Sequence, residues 1–143
     1  MEATKSLRNK YDKDWYKNLN KSKLTPPDYV FGIVWSFLYL FMFIAFLLVV
    51  LETKKSNYDK KIFNLSVTFF SIQLFFNLAW TQLFFRMKNP KGSLIDIILT
   101  IKFTALTIYY FYQINYIAAA LLVPYFIWIS FASYLNLHIV LKN

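Results

Sequence analysis

The sequence predicts an all-α, polytopic membrane bundle, and three observations carry that expectation. Apolar residues make up 58% of the chain, with 16 Phe and 11 Tyr but only 2 Gly. Charged residues are kept out of four long apolar stretches. They gather instead in the short segments between those stretches. A soluble fold mixes charge along the chain; segregation on this scale is what a bilayer imposes. The 143 residues suffice for one membrane domain covering 1–143.

The elements follow in order. Residues 1–28 form a basic N-terminal segment in which Leu7, Tyr11, Trp15 and Leu19 recur every four residues, with Lys10, Lys13, Lys17 and Lys21 between them. Two readings fit its first half: a basic amphipathic helix lying in the membrane interface, or a solvated tail with incidental periodicity. The segment has no apolar core of its own, so it is not a cleavable signal peptide. Glu2, Asp12 and Asp14 also argue against a matrix-targeting presequence. Thr25-Pro26-Pro27-Asp28 reads as a helix start: Thr25 caps, Pro26 takes the first helical position, and Asp28 sits in the first turn.

The first span, 29–51, has no Asp, Glu, Lys or Arg over 23 residues. At 1.5 Å per residue it reaches about 34 Å, enough for a hydrocarbon core of about 30 Å. The second, 62–85, is equally free of charge. The third, 94–112, is the weakest because it contains Asp96 and Lys102. The fourth, 117–141, carries Pro124 inside it and His138 near its end. Short connections make sequential helices antiparallel neighbours in a bundle. Eleven Lys and Arg fall on the side of the termini and four on the other, which predicts that both termini face the cytoplasm. Because the net charge of +9 is concentrated beside the spans, it points to anionic lipid headgroups and not to nucleic acid.

Polar residues inside spans mark the faces that turn inward. Gln73, Asn77, Trp80, Thr81 and Phe84 form one stripe on the second span. Pro124, Trp128, Ala132 and Asn136 recur every four residues on the fourth. The first span offers Trp35, Tyr39 and Met42, and the third offers Asp96, Thr100, Thr104 and Thr107. Two readings remain open for this set. It lines an aromatic cavity with a few amides and hydroxyls, or it is interhelical hydrogen-bond glue worth about 0.6 kcal/mol per bond. Pro124 removes a backbone hydrogen bond and is expected to open space beside its helix. Lys102 costs on the order of 2.5–3.5 kcal/mol near the middle of a span. Six residues turn the helix through about 240°, so Lys102 is badly placed to pair with Asp96. Two readings fit: pairing with an acidic group of a ligand, or, as the favoured reading, snorkelling along its own stem or a tilted helix.

Several chemistries are excluded. With no cysteine there is no disulfide, thiolate metal site or thiol nucleophile, and a single histidine rules out a multi-histidine metal site within one chain. No serine triad, Gly-rich phosphate loop or pair of intramembrane carboxylates is visible. The expectation is a protein that is not an enzyme and requires no cofactor.

These residues also resemble the TspO/MBR family. The family pattern is matched by Trp15-Tyr16, Leu19, Lys21, Thr25-Pro26-Pro27, Phe31, Val34-Trp35 and Leu38-Tyr39. It continues through Gln73-Leu74, Asn77, Trp80 and Leu83-Phe84-Phe85, and then from Ala119 to Pro124-Tyr125, Trp128, Ser130-Phe131-Ala132 and Tyr134-Leu135-Asn136. The resemblance implies a helical bundle with a cavity open toward one end that binds tetrapyrroles such as protoporphyrin and haem. By position the cavity would use Trp35, Asn77, Trp80, Trp128 and Ala132, with Tyr16, Pro26 and Phe31 supplied by the lid and the first turn of the first span. A flat macrocycle would stack on the indole faces while Asn77 satisfied one polar group. The family has five spans, the first ahead of the Trp-Tyr pair. Here only fourteen residues precede Trp15, so the expectation is the five-helix bundle minus its first span, truncated or closed by a partner helix or a homodimer mate. Ser22 and Leu24 stand where Pro and Trp are usual. Leu137 stands where animal members carry the Tyr of a cholesterol motif, so sterol recognition through that motif is not expected.

The expected function is therefore an integral membrane binding protein for tetrapyrroles or similar hydrophobic planar ligands, in a sensing, trafficking or regulatory role. The alternatives are an interaction subunit completed by a partner helix and a small transporter.

Overall fold

The computed structural model describes residues 23–55 and 59–142, which form four long helices and one π-turn and contain no strand. Helix α1 is Asp28–Lys55, α2 is Lys60–Thr81, α3 is Pro90–Ile114 and α4 is Tyr116–Lys142. All four are long and apolar enough to cross a membrane. The proposed amphipathic helix, Trp15 and Tyr16 lie outside the described residues.

Local chemistry sets the helix ends. The Asp59 carboxylate accepts from the Lys61 amide at 2.8 Å and starts α2. Asn89 accepts from the Gly92 amide at 2.9 Å, with Pro90 in the first turn of α3. A Cβ on Gly92 would stand 2.6 Å from the Asn89 side chain, so glycine lets that cap close. Asn115 both ends α3 and starts α4. Its amide donates to the Phe111 carbonyl, and its side-chain oxygen accepts from Ile117 and Ala118. One residue therefore does the work of the four-residue loop read from the sequence.

Two boundary expectations change. Helix α1 begins at Asp28, after both prolines, with the Val30 amide donating to the Pro27 carbonyl. Pro26 is thus not its first helical residue. The second span does not run as uniform α-helix to 85: Gln82–Arg86 forms a π-turn, closed by the Met87 amide donating to the Gln82 carbonyl. Hydropathy cannot see that change, because Leu83 and Phe84 are apolar in either geometry. The third span is a full 25-residue helix, and it resolves its two charges by rotation: Asp96 is buried and Lys102 is exposed.

The helices pack in the order α2–α3–α4–α1, each against its neighbour. The backbones of α1 and α2 stay apart, so the neighbour relation expected of sequential helices fails for this pair, and α1 packs on α4 instead. Side chains bridge them, including Phe46 stacked on Phe70 at 5.2 Å. Phe70 in turn stacks on Phe111 of α3 at 5.7 Å, closing the end of the bundle near the α1–α2 connection. The outer surface carries Tyr29, Phe43, Phe75, Tyr112 and Ile127, all more than half exposed. An apolar exterior around a partly polar interior is the distribution lipid favours, since backbone groups are satisfied within helices and polar side chains turn inward.

Candidate ligand-binding cavity

Between the α1, α2, α3 and α4 faces lies a cavity of about 250 Å³. Helix α1 supplies Phe31, Trp35 and Tyr39, one turn apart. Helix α2 supplies Asn77, Trp80 and Thr81; Ile97 and Thr100 come from α3, and Ile129 and Ala132 from α4. A second chamber of about 60 Å³ shares Phe31, Trp80 and Ala132 with the first and adds Thr25, Leu135 and Asn136. The two make one cleft, mostly apolar, that runs toward the end of the bundle where α1 begins.

A polar network forms its floor. The Tyr39 hydroxyl donates to Asn77 Oδ1. Asn77 Nδ2 donates to the Tyr125 hydroxyl at 2.8 Å, which donates to Gln73 Oε1 at 2.7 Å. Thr104 approaches the same Gln73 oxygen at 3.5 Å. A second network holds the wall. Trp80 Nε1 donates to Asn136 Oδ1 at 3.0 Å, as does the Ser93 hydroxyl at 3.0 Å, and Asn136 Nδ2 donates to the Pro90 carbonyl at 2.9 Å. With its N–H held and one face stacked on Phe84 at 5.0 Å, the Trp80 ring is fixed in place. The cavity reading and the glue reading of the sequence thus both describe real features: the same side chains join the helices and leave space between them.

Of the residues expected at the site, Phe31, Trp35, Asn77, Trp80 and Ala132 come together on the cavity. Trp128 stands behind Trp35, with ring centroids 6.4 Å apart at 86°, and touches Phe31 edge-on at 5.4 Å. Its other side lines an open apolar groove between α1 and α4 with Val34, Leu38 and Pro124. Pro26 lies beside the mouth residue Thr25. Tyr16 is outside the described residues.

The difference at Trp128 and Pro124 is geometric. Four residues advance an α-helix by 400°, so a row at four-residue steps drifts about 40° each time. Three steps from Pro124 to Asn136 amount to about 120°, carrying the row from the outer surface to the core. The space beside Pro124 accordingly opens outward. The inward line on α4 is Leu122, Tyr125, Ile129, Ala132 and Asn136, spaced three and four. Tyr125 and Ile129 belong to the site and were missed; alternating three- and four-residue spacing was the signal that finds them.

Asp96 adds one more feature. It is 5% exposed, and its Oδ2 has no hydrogen-bond partner. Trp128 Nε1 is likewise buried without a partner.

The TspO/MBR family model matches residues 2–141. Among curated relatives, the chain is 42% identical to the tryptophan-rich protein TspO of Chlorobaculum tepidum, covering 90% of this chain and 79% of that protein. It is 35% identical to the tryptophan-rich sensory protein of Cereibacter sphaeroides, over 91% and 77% of the two chains. It is 34% identical to the translocator protein of Homo sapiens, over 85% and 70%.

Proposed function

The chain belongs to the TspO/MBR family, and from that premise we propose that this integral, multi-pass membrane protein binds tetrapyrroles such as protoporphyrin and haem, or similar hydrophobic planar ligands. We assign it a sensing, trafficking or regulatory role without catalysis, with both termini cytoplasmic. The observation that carries the reading is the cavity itself, walled by the rings of Phe31, Trp35, Tyr39 and Trp80 over a floor whose polar groups are paired with one another. Ligand sites are usually mostly apolar and aromatic, with few polar groups. The fit is one of shape and surface. A cavity of about 250 Å³ lies just under the usual range of about 300–1,000 Å³, so the enclosed part takes an edge of a macrocycle and the remainder needs the mouth near Thr25 and Phe31. Asn77 retains one amide N–H and one lone pair after its bonds to Tyr125 and Tyr39, enough for one polar contact.

The test is a titration of purified protein with protoporphyrin, followed by tryptophan fluorescence. Saturable quenching is expected, with Trp35→Phe and Trp80→Phe each weakening affinity about three- to tenfold through lost ring contact. Linear, unsaturable quenching that both variants share would sink the reading.

A second reading, a subunit completed by a partner helix or a homodimer mate, is favoured by one observation: the backbones of α1 and α2 are not packed together, and side chains alone span the gap.

A further inference from the structure

Among the described residues Asp96 is the buried charge-bearing group, and neither of the two polar networks uses its side chain. Its backbone carbonyl accepts from Thr100, but its carboxyl Oδ2 has no partner. Lys102, the other charge-bearing residue inside the span, is on the outer face, with its ammonium over the Phe103 ring at 5.7 Å. It cannot reach the bundle interior from there. A buried carboxyl oxygen left without a partner is expensive, and side chains of this kind within spans commonly face a functional cavity.

Its position follows from two cross-helix pairs. Ser93 bonds Asn136, so Asp96, one turn on from Ser93, is level with Ala132, one turn back from Asn136. Thr104 approaches Gln73, and eight residues along each antiparallel helix bring Asp96 level with Thr81. Ala132 and Thr81 both line the cavity, as do Ile97 and Thr100, one and four residues after Asp96 on its own helix, so Asp96 stands directly beside that lining. Thr100 directs its hydroxyl to the Asp96 carbonyl and so offers a ligand no free donor.

Resting on the ligand-binding reading above, we propose that Asp96 is the polar anchor of the cavity and that a preferred ligand presents an N–H donor, at its strongest a protonated amine, to α3. The aromatic walls select for a flat apolar body, and Asp96 selects for where that body carries its donor. Hydrogen bonds to a charged partner are the strong ones, and a dry surrounding strengthens them further.

The experiment compares two planar probes on purified protein in one detergent: 9-aminoacridine, protonated at neutral pH, and 9-methylanthracene, of similar outline without a donor. Detergent partitioning of each probe is common to all variants, so the ratio of the two affinities is read against the variant. The wild type is expected to prefer 9-aminoacridine by about tenfold or more. Asp96→Asn should bring the ratio close to one while leaving 9-methylanthracene affinity within about twofold, and Asp96→Glu should retain most of the preference. Retained 9-methylanthracene binding and an unchanged far-UV spectrum certify the fold of each variant, with Asp96→Ser as a smaller substitute. An amine preference that survives in both Asn and Ser variants, or saturable 9-methylanthracene binding with no preference in the wild type, overturns the Asp96 assignment alone. Failure of both probes to bind the wild type overturns the cavity reading and this assignment with it.

Discussion

Tyr125 joins three helices through one side chain. It is fully buried, meets the Trp35 ring edge-on at 6.2 Å, accepts from Asn77 and donates to Gln73. Tyr125→Phe removes both bonds, leaving the buried Asn77 amide donor without its partner and Gln73 Oε1 with only the 3.5 Å approach of Thr104. The expected loss is about 1–3 kcal/mol, the cost of unsatisfied buried groups. Tyr39→Phe removes one bond from a ring that is 39% exposed, and should cost about 0.6 kcal/mol, the average for hydrogen bonds within membranes. Unfolding of the two variants in mixed micelles, followed by circular dichroism, measures that contrast. Asn77 and Trp80 were legible from the sequence because their spacing marks one helix face. Tyr125 was legible as an inward position through the three- and four-residue spacing on α4, but its hydrogen-bonding role was not, because its partners come from α1 and α2.

Helix α3 shows how an element tolerates charge in a span. Asp96 and Lys102 are separated by about 240° of rotation, which leaves one carboxyl inside and one ammonium outside. The outside charge is near the middle of a 25-residue helix, where the Lys stem is too short to bring the ammonium fully to either headgroup layer. Lys102→Leu should therefore improve membrane insertion of α3 by about 3 kcal/mol on insertion scales. A glycosylation-mapping assay of the α3–α4 hairpin reads this as a rise in the fraction integrated; an unchanged fraction would mean that Lys102 is already satisfied. Helix α2 shows the opposite case. Its apolar run continues past Thr81, so composition predicts one uniform helix, whereas the backbone widens into a π-turn at Gln82–Arg86. Such turns are rare and occur often at functional sites. This one follows directly after the cavity residues Trp80 and Thr81.

Across the molecule, charge outside the spans predicts orientation. Eleven cationic residues on one side against four on the other predict cytoplasmic termini. The chain has no cysteine, so single cysteines report without background. Lys142→Cys should react with a membrane-impermeant maleimide only from the cytoplasmic side, and Asp59→Cys only from the opposite side. The reverse pattern would invert the topology. The same arrangement sets the cavity's direction: its mouth near Thr25 lies at the end that carries the N-terminal segment and the α2–α3 connection.

Four spans, their order, the packing of α2 on α3 and of α3 on α4, and most of the inward residues were determined by the sequence alone, whereas the pairing of α1 with α4 instead of α2 was not. Those properties depend on hydropathy and on the 3.6-residue repeat, which are local. The tertiary structure alone decided that Trp128 backs the cavity wall and also faces an outer groove, that Tyr125 ties the floor together, and that the inward Asp96 keeps an unpartnered oxygen beside the cavity. Each depends on which helix faces which, at what height and with what drift of the helical row, and none of these is encoded in a single segment. The basic N-terminal stretch that follows Met1 remains defined by its charge and its four-residue repeat.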